Sequence, residues 1–158
     1  MNATVHDLLS ARAARVQPAD RLALAYLYNA PGGSITIGPG HDHDPQLVVA
    51  LVKRLHPMGL LRGNVRARSL HINDQGRRIV EHWIGTICDA LSDPGRERVV
   101  DSLRWLGCPS LPIDVELEGL GLVRTRNGGR SGELHFVPYT WRTELCLAVA
   151  RSLERKVS

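Results

Sequence analysis

The sequence predicts an α+β protein, mainly helical, built as two related units with short β-hairpins behind an N-terminal helix. Three observations carry this expectation. Apolar residues recur at three-four spacing through most segments, the period of a helix that buries one face. Two stretches interrupt that period with glycine turns followed by basic, hairpin-like segments, the first with clear strand alternation. The segment from Leu51 also returns about sixty residues later: Leu51, Leu55, Met58, Gly59, Leu60, Leu61 and Arg62 fall on Ile113, Leu117, Leu120, Gly121, Leu122, Val123 and Arg124.

The elements follow in order. Val5, Leu8, Leu9, Arg12 and Val16 share a helical face that Pro18 ends. A second helix is expected with Asp20 as its cap, carrying Leu22, Ala25, Tyr26 and Leu27 up to the breaker Ala30-Pro31-Gly32-Gly33. Ser34-Ile35-Thr36-Ile37 reads as a short strand. Asp44-Pro45 is a helix cap with a first-turn proline, and Val48, Leu51, Leu55 and Met58 line the helix that follows. Gly63-Asn64 is a turn, and Arg66 to Ile72 alternates as a strand. Asn73-Asp74-Gln75-Gly76 then opens a helix whose apolar side is Ile79, Val80, Trp83, Ile84 and Ile87.

In the second copy, Arg98, Val99, Leu103, Trp105 and Leu106 supply the first helix. Arg68-Ser69 aligns with Arg130-Ser131, Leu70-His71-Ile72 aligns with Leu134-His135-Phe136, and a closing helix carries Trp141, Leu145, Ala148, Val149 and Leu153. Only six steps separate Gly107 from Ile113, so this copy is reduced. The expected division is 1–17 for the N-terminal helix, 18–92 for the first unit and 93–158 for the second. Leu51 and Ile113 are expected to be buried at equivalent places.

Composition bounds the function. The chain has 158 residues, 43% of them hydrophobic and 23% charged, which suits a folded domain rather than a disordered or fibrous chain. The longest uncharged stretch, Leu22 to His41, is broken by Pro31, Pro39 and four glycines, so no membrane span is expected. The N-terminal segment lacks the pattern of a secretory signal, and Cys88, Cys108 and Cys146 form no C-x-x-C pair, so the expected location is cytoplasmic with reduced thiols. Net charge is +4 and unevenly placed: Pro45 to Asn73 holds Lys53, Arg54, Arg62, Arg66 and Arg68 and no acid, with Arg77 and Arg78 just beyond. A local run of one sign suits a polyanion, although a solvated face in an arginine-rich chain explains it as well.

Helix, strand, helix, two-stranded hairpin and helix is the order of a winged helix. The segment LVKRLHPMGLLRGNVRARSLHINDQGRRIVEHW resembles the third helix, wing and following helix of the MarR-like winged-helix regulators, in its G-L-L-R, its basic hairpin and its D-Q-G-R helix start. The resemblance covers about residues 20–90, with an echo over 95–155. Pro31 to Asp44 replaces the usual second helix. The resemblance implies a double-stranded DNA-binding protein, a transcriptional regulator that pairs as a homodimer, with the third helix in the major groove and the wing on phosphates. Gln46, Val49, Ala50 and Lys53 would then face the bases, and Arg54, Arg62, Arg66, Arg68, Arg77 and Arg78 the backbone. In the wing, Arg66, Arg68, Leu70 and Ile72 share strand parity, which gives an apolar root and a cationic tip.

Other readings stay open. Two apolar residues on the helix face also suit a protein contact, and Asp114, Glu116 and Glu118 on the second copy's helix would oppose phosphates. A tandem winged-helix adaptor or inhibitor, with the second unit contacting a protein partner, is therefore the alternative. The N-terminal stripe either pairs with a second copy or packs on its own chain. His41-Asp42-His43-Asp44 has metal-binding residue types, with His56 and His71 as further candidates, but a helix cap and a solvated loop account for it, so no metal or other cofactor is expected. No nucleophile, phosphate-binding or dinucleotide motif occurs, so no enzyme is expected.

Overall fold

A computed structural model describes residues 2–64, 66, 68–105, 107–128 and 137–157. The chain is α+β, about 61% helical, with two small three-stranded antiparallel sheets. It divides into two compact units, 1–85 and 86–158, and the boundary falls inside the helix Asp74–Ala90. Among the described residues, no helix is long and apolar enough to cross a membrane.

The first unit begins with α1 (Asn2–Ala14) and α2 (Pro18–Asn29). Pro18 opens α2, because its fixed φ suits the first turn. Asp20 is therefore not the expected cap: it is buried within the first turn, paired with Arg54 at 2.7 Å. After β1 (Ser34–Thr36), Asp44 caps α3 (Pro45–Val49) by accepting a 2.8 Å bond from the Gln46 N–H. The helix continues as a wider π-helical turn, Ala50–Leu55, marked by the i→i+5 bond from His56 N–H to the Leu51 carbonyl. Pro57 has no N–H with which to close an α-turn onto Lys53, and the helix ends in this wide spacing.

The hairpin β2 (Leu61–Asn64) and β3 (Ser69–Ile72) joins β1 in the order β1-β3-β2, and α4 (Asp74–Ala90) follows. Gly63 has a φ of 119°, and a Cβ there would meet the Ser69 carbonyl oxygen at 2.3 Å, so only glycine fits beneath the hairpin. Leu24, Leu27, Leu51, Leu55, Leu70 and Ile79 form the aliphatic core.

The second unit has α5 (Asp93–Asp101), β4 (Gly107–Pro109), α6 (Asp114–Gly119), β5 (Val123–Gly128), β6 (Val137–Arg142) and α7 (Glu144–Val157), with strand order β4-β6-β5. Ser92 caps α5 by accepting from the Gly95 N–H at 3.1 Å. Strand β4 occupies the short stretch the sequence left without an element. Trp105 lies just beyond the helical segment, and Leu106 lies outside the described residues.

The units share backbone bonds at matched positions around the hairpin. Leu60 N–H donates to the Leu55 carbonyl and Leu122 N–H to the Leu117 carbonyl; Asn73 N–H donates to the Leu60 carbonyl and Thr143 N–H to the Leu122 carbonyl. Leu60 and Leu122 are 62 residues apart, whereas Asn73 and Thr143 are 70 apart, so the second hairpin is eight residues longer. The counterparts of Leu70, His71 and Ile72 in the second copy are accordingly Thr140, Trp141 and Arg142, not Leu134 to Phe136, which lie outside the described residues. Trp141 stands on strand β6, not in the closing helix. Leu51 is fully buried, but Ile113 is only half-buried, at the start of a much shorter helix.

Candidate nucleic-acid interface

The acid-free stretch 45–73 places its cations on two elements. Lys53 lies exposed on the π-helical turn, and Arg62 is exposed on β2. Arg66 and Arg68 do not continue the strand. They lie in the turn before β3, so the parity that would have stacked them above Leu70 and Ile72 is broken. The Asn64 side chain accepts from the Arg66 N–H at 2.8 Å, and Arg68 adopts a left-handed φ of 57°. The Arg68 carbonyl accepts from the Ile37 N–H at 2.7 Å, and its side chain runs beside Gly38. Both arginines are exposed, and among the described residues neither their side chains nor those of Arg62 and Lys53 have an ion-pair partner.

Three expected contacts change. Ala50 is 3% exposed rather than outward, because α2 packs on the wide turn that begins there. Arg54 is held by buried Asp20, which neutralises it as a phosphate ligand. Arg77 is half-buried and donates to the Gly32 carbonyl at 3.4 Å, while Arg78 stays exposed. Gln46 is exposed and Val49 half-buried. The loop histidines sit near one another, with the His41 and His43 rings stacked at 6.4 Å, but His43 Nε2 lies 2.8 Å from the Thr36 carbonyl. Among the described residues, no three His, Cys, Asp or Glu side chains gather as metal ligands.

The second unit has a different charge pattern. Asp114 is buried and accepts from Arg98 Nε at 3.0 Å and from the Leu111 N–H at 2.8 Å. Burial works to raise its carboxyl, but the bonds from Arg98, Leu111 and Thr140 prevail and hold it below the ordinary carboxylate range. Glu116 is likewise lowered by the Ser92 N–H and hydroxyl, and Glu118 accepts from the Thr125 N–H at 3.1 Å. All three acids expected to repel phosphate are therefore held by α5, its cap Ser92 or β5. Burial pushes the Cys146 thiol up, which suits an inert core residue.

Strand β6 carries a feature that the helical assignment of Trp141 concealed. Pro138-Tyr139-Thr140-Trp141 alternates, with Thr140 fully buried and Tyr139 and Trp141 40% and 48% exposed. Period-two alternation was the available signal, with the sense of its faces reversed. No family model, curated protein or solved structure matches this chain.

Proposed function

We propose that the first unit binds double-stranded DNA in the manner of a winged-helix transcriptional regulator, with the helix beginning at Pro45 toward the major groove and the hairpin arginines on phosphates. One observation carries the reading: Lys53, Arg62, Arg66 and Arg68 are exposed, lack ion-pair partners among the described residues, and come from a stretch that contains no acid. Exposed cations left uncompensated are those that release counterions from a polyanion. Val5 and Leu8, 66% and 68% exposed on α1, offer a pairing surface for a homodimer reading two half-sites. Ala13 and Val16, lower on the same segment, are buried in the chain's own fold.

Each neutralised phosphate contributes about 0.9 to the logarithmic salt slope of duplex binding. Replacing Arg66 and Arg68 together by alanine is expected to flatten that slope by about 1.8 and weaken binding to all sequences alike. Gln46→Ala is expected to change preference among sequences and leave the slope unchanged. Duplex binding that is undetectable at low salt for the wild-type chain would sink this reading in favour of the adaptor, which the exposed Leu111 and Val115 of the second unit favour.

A further inference from the structure

Residues directly opposite one another in a ladder project from the same sheet face. In the second unit, Trp141 is flanked by Gly107 and Arg124, and Tyr139 by Pro109 and Arg126. One face therefore presents two aromatic rings side by side with an arginine across from each. All four side chains are exposed, and among the described residues neither arginine has an ion-pair partner. The Trp141 ring lies over Gly107, where a Cβ would come within 2.6 Å of it, so the sheet is shaped to let that ring lie flat.

The other face, apart from the buried Val123, is polar. Thr140 is buried, Cys108 Sγ accepts from Arg98 Nη2 at 2.9 Å, and the Arg142 guanidinium donates to the Ser102 carbonyl. Burial free energy would select the reverse arrangement, with the rings inward and the threonine outward. Rings held outward against that preference mark a contact surface.

We propose that this face binds single-stranded nucleic acid, with bases stacked on Tyr139 and Trp141 and phosphates met by Arg124 and Arg126. The charge decides the partner class: aromatic rings interleaved with uncompensated arginines fit a chain that alternates planar bases with anions. The spacing decides the strand state. The ring centroids are 6.4 Å apart, nearly twice the ~3.4 Å rise of stacked nucleotides, so neighbouring bases must separate from each other to lie on successive rings. A duplex does not offer that geometry. This inference stands apart from duplex binding by the first unit.

The test measures binding of a labelled 12-nucleotide oligothymidylate to the full chain by fluorescence anisotropy at several salt concentrations. Trp141→Leu and Tyr139→Leu, which keep apolar cover but remove the ring, should each weaken binding about 5- to 150-fold, and Trp141→Phe should restore most of it. Arg124→Gln and Arg126→Gln should each reduce the salt slope by about 0.7. Arg66→Ala with Arg68→Ala should reduce oligothymidylate affinity much less than Tyr139→Leu does, which separates this site from the proposed duplex site. Circular dichroism checks each fold, and if Trp141→Leu unfolds the unit, Tyr139→Leu carries the decision. The proposal is overturned by undetectable binding at low salt, by affinity that survives Tyr139→Leu, or by equal loss in the Arg66/Arg68 variant. A dimer that dissolves with Tyr139→Leu while no oligonucleotide binds would also overturn it, and would make a second copy the occupant.

Discussion

The two sheets have the same strand order and opposite chemistry. In the first, Leu61, Leu70 and Ile72 point into the core, and Ser34, Thr36, Ser69 and His71 lie on the other face. In the second, the inward positions are Val123, Thr140 and Arg142, and the outward ones are Gly107, Pro109, Tyr139 and Trp141. Backbone bonds at matched positions keep the framework, so the side-chain faces are free to diverge. The first sheet is stabilised by apolar burial. The second replaces much of that burial with a polar network around Asp114, Arg98, Cys108 and Thr140, and turns its rings to solvent.

The sharpest way to break this contrast is to remove the buried acid from each unit. Asp114→Ala leaves the Arg98 guanidinium, only 13% exposed, without its carboxylate, and should cost about 3–5 kcal/mol. Asp20→Ala strands Arg54, whose side chain is 43% exposed and can turn to water, and should cost about 1 kcal/mol. Urea titration followed by far-ultraviolet dichroism reads both. A pH series adds a sign. The folded pKa of Asp114 lies below its unfolded value, so its stabilisation is complete above the ordinary carboxylate pKa of about 4 and disappears as pH falls through the lower, folded value. Asp114→Asn should abolish that acid-side loss. An unchanged acid profile would mean that the network does not hold the second unit together.

Apolar truncation should show the opposite bias. Leu51→Ala removes a side chain with no exposed surface and should cost about 2–5 kcal/mol. Ile113→Ala, at the matched but half-buried position, should cost about 1 kcal/mol because much of its area already meets water. Equal losses in thermal melts would show that the second core is as aliphatic as the first.

Much of the framework was readable from residues whose chemistry is local. The Asp44-Pro45 helix start and the repeat through Arg124 need only a few neighbouring residues to specify them, and the structure has both, whereas Gly63-Asn64, expected as a turn, lies inside β2 and pairs with Leu70 and Ser69. The readings that changed depend on distant partners. Ala50 turned inward because α2 packs on a π-helical turn that no three-four period announces. Asp20 reads as a cap until Arg54, 34 residues away, is brought to it. Aligning the repeat through Leu134-His135-Phe136 puts Trp141 in a helix, and an apolar-polar alternation does not say which face is buried. The aromatic face of β6 was invisible for that reason.

The smallest effect tests whether the two units share one framework at the level of single bonds. Asn73 opens α4 by accepting from the Gly76 N–H at 2.9 Å, while its Nδ2 donates to the Gly59 carbonyl at 2.8 Å. Thr143 opens α7 in the same way: its hydroxyl accepts from the Cys146 N–H at 3.3 Å and donates to the Gly121 carbonyl at 2.9 Å. Gly59 and Gly121 hold the same turn, with φ of 71° and 73°. Each cap therefore satisfies a helix N–H and ties the start of that helix to the turn before the hairpin. Alanine at either position should cost about 1 kcal/mol, the ordinary value of a lost cap. The exchanges Asn73→Thr and Thr143→Asn should cost only a few tenths by comparison, since both side chains supply one acceptor and one donor at that reach. If Thr143→Asn costs as much as Thr143→Ala in a thermal melt, the second turn is tuned to the shorter hydroxyl, and the likeness of the units ends at strand order.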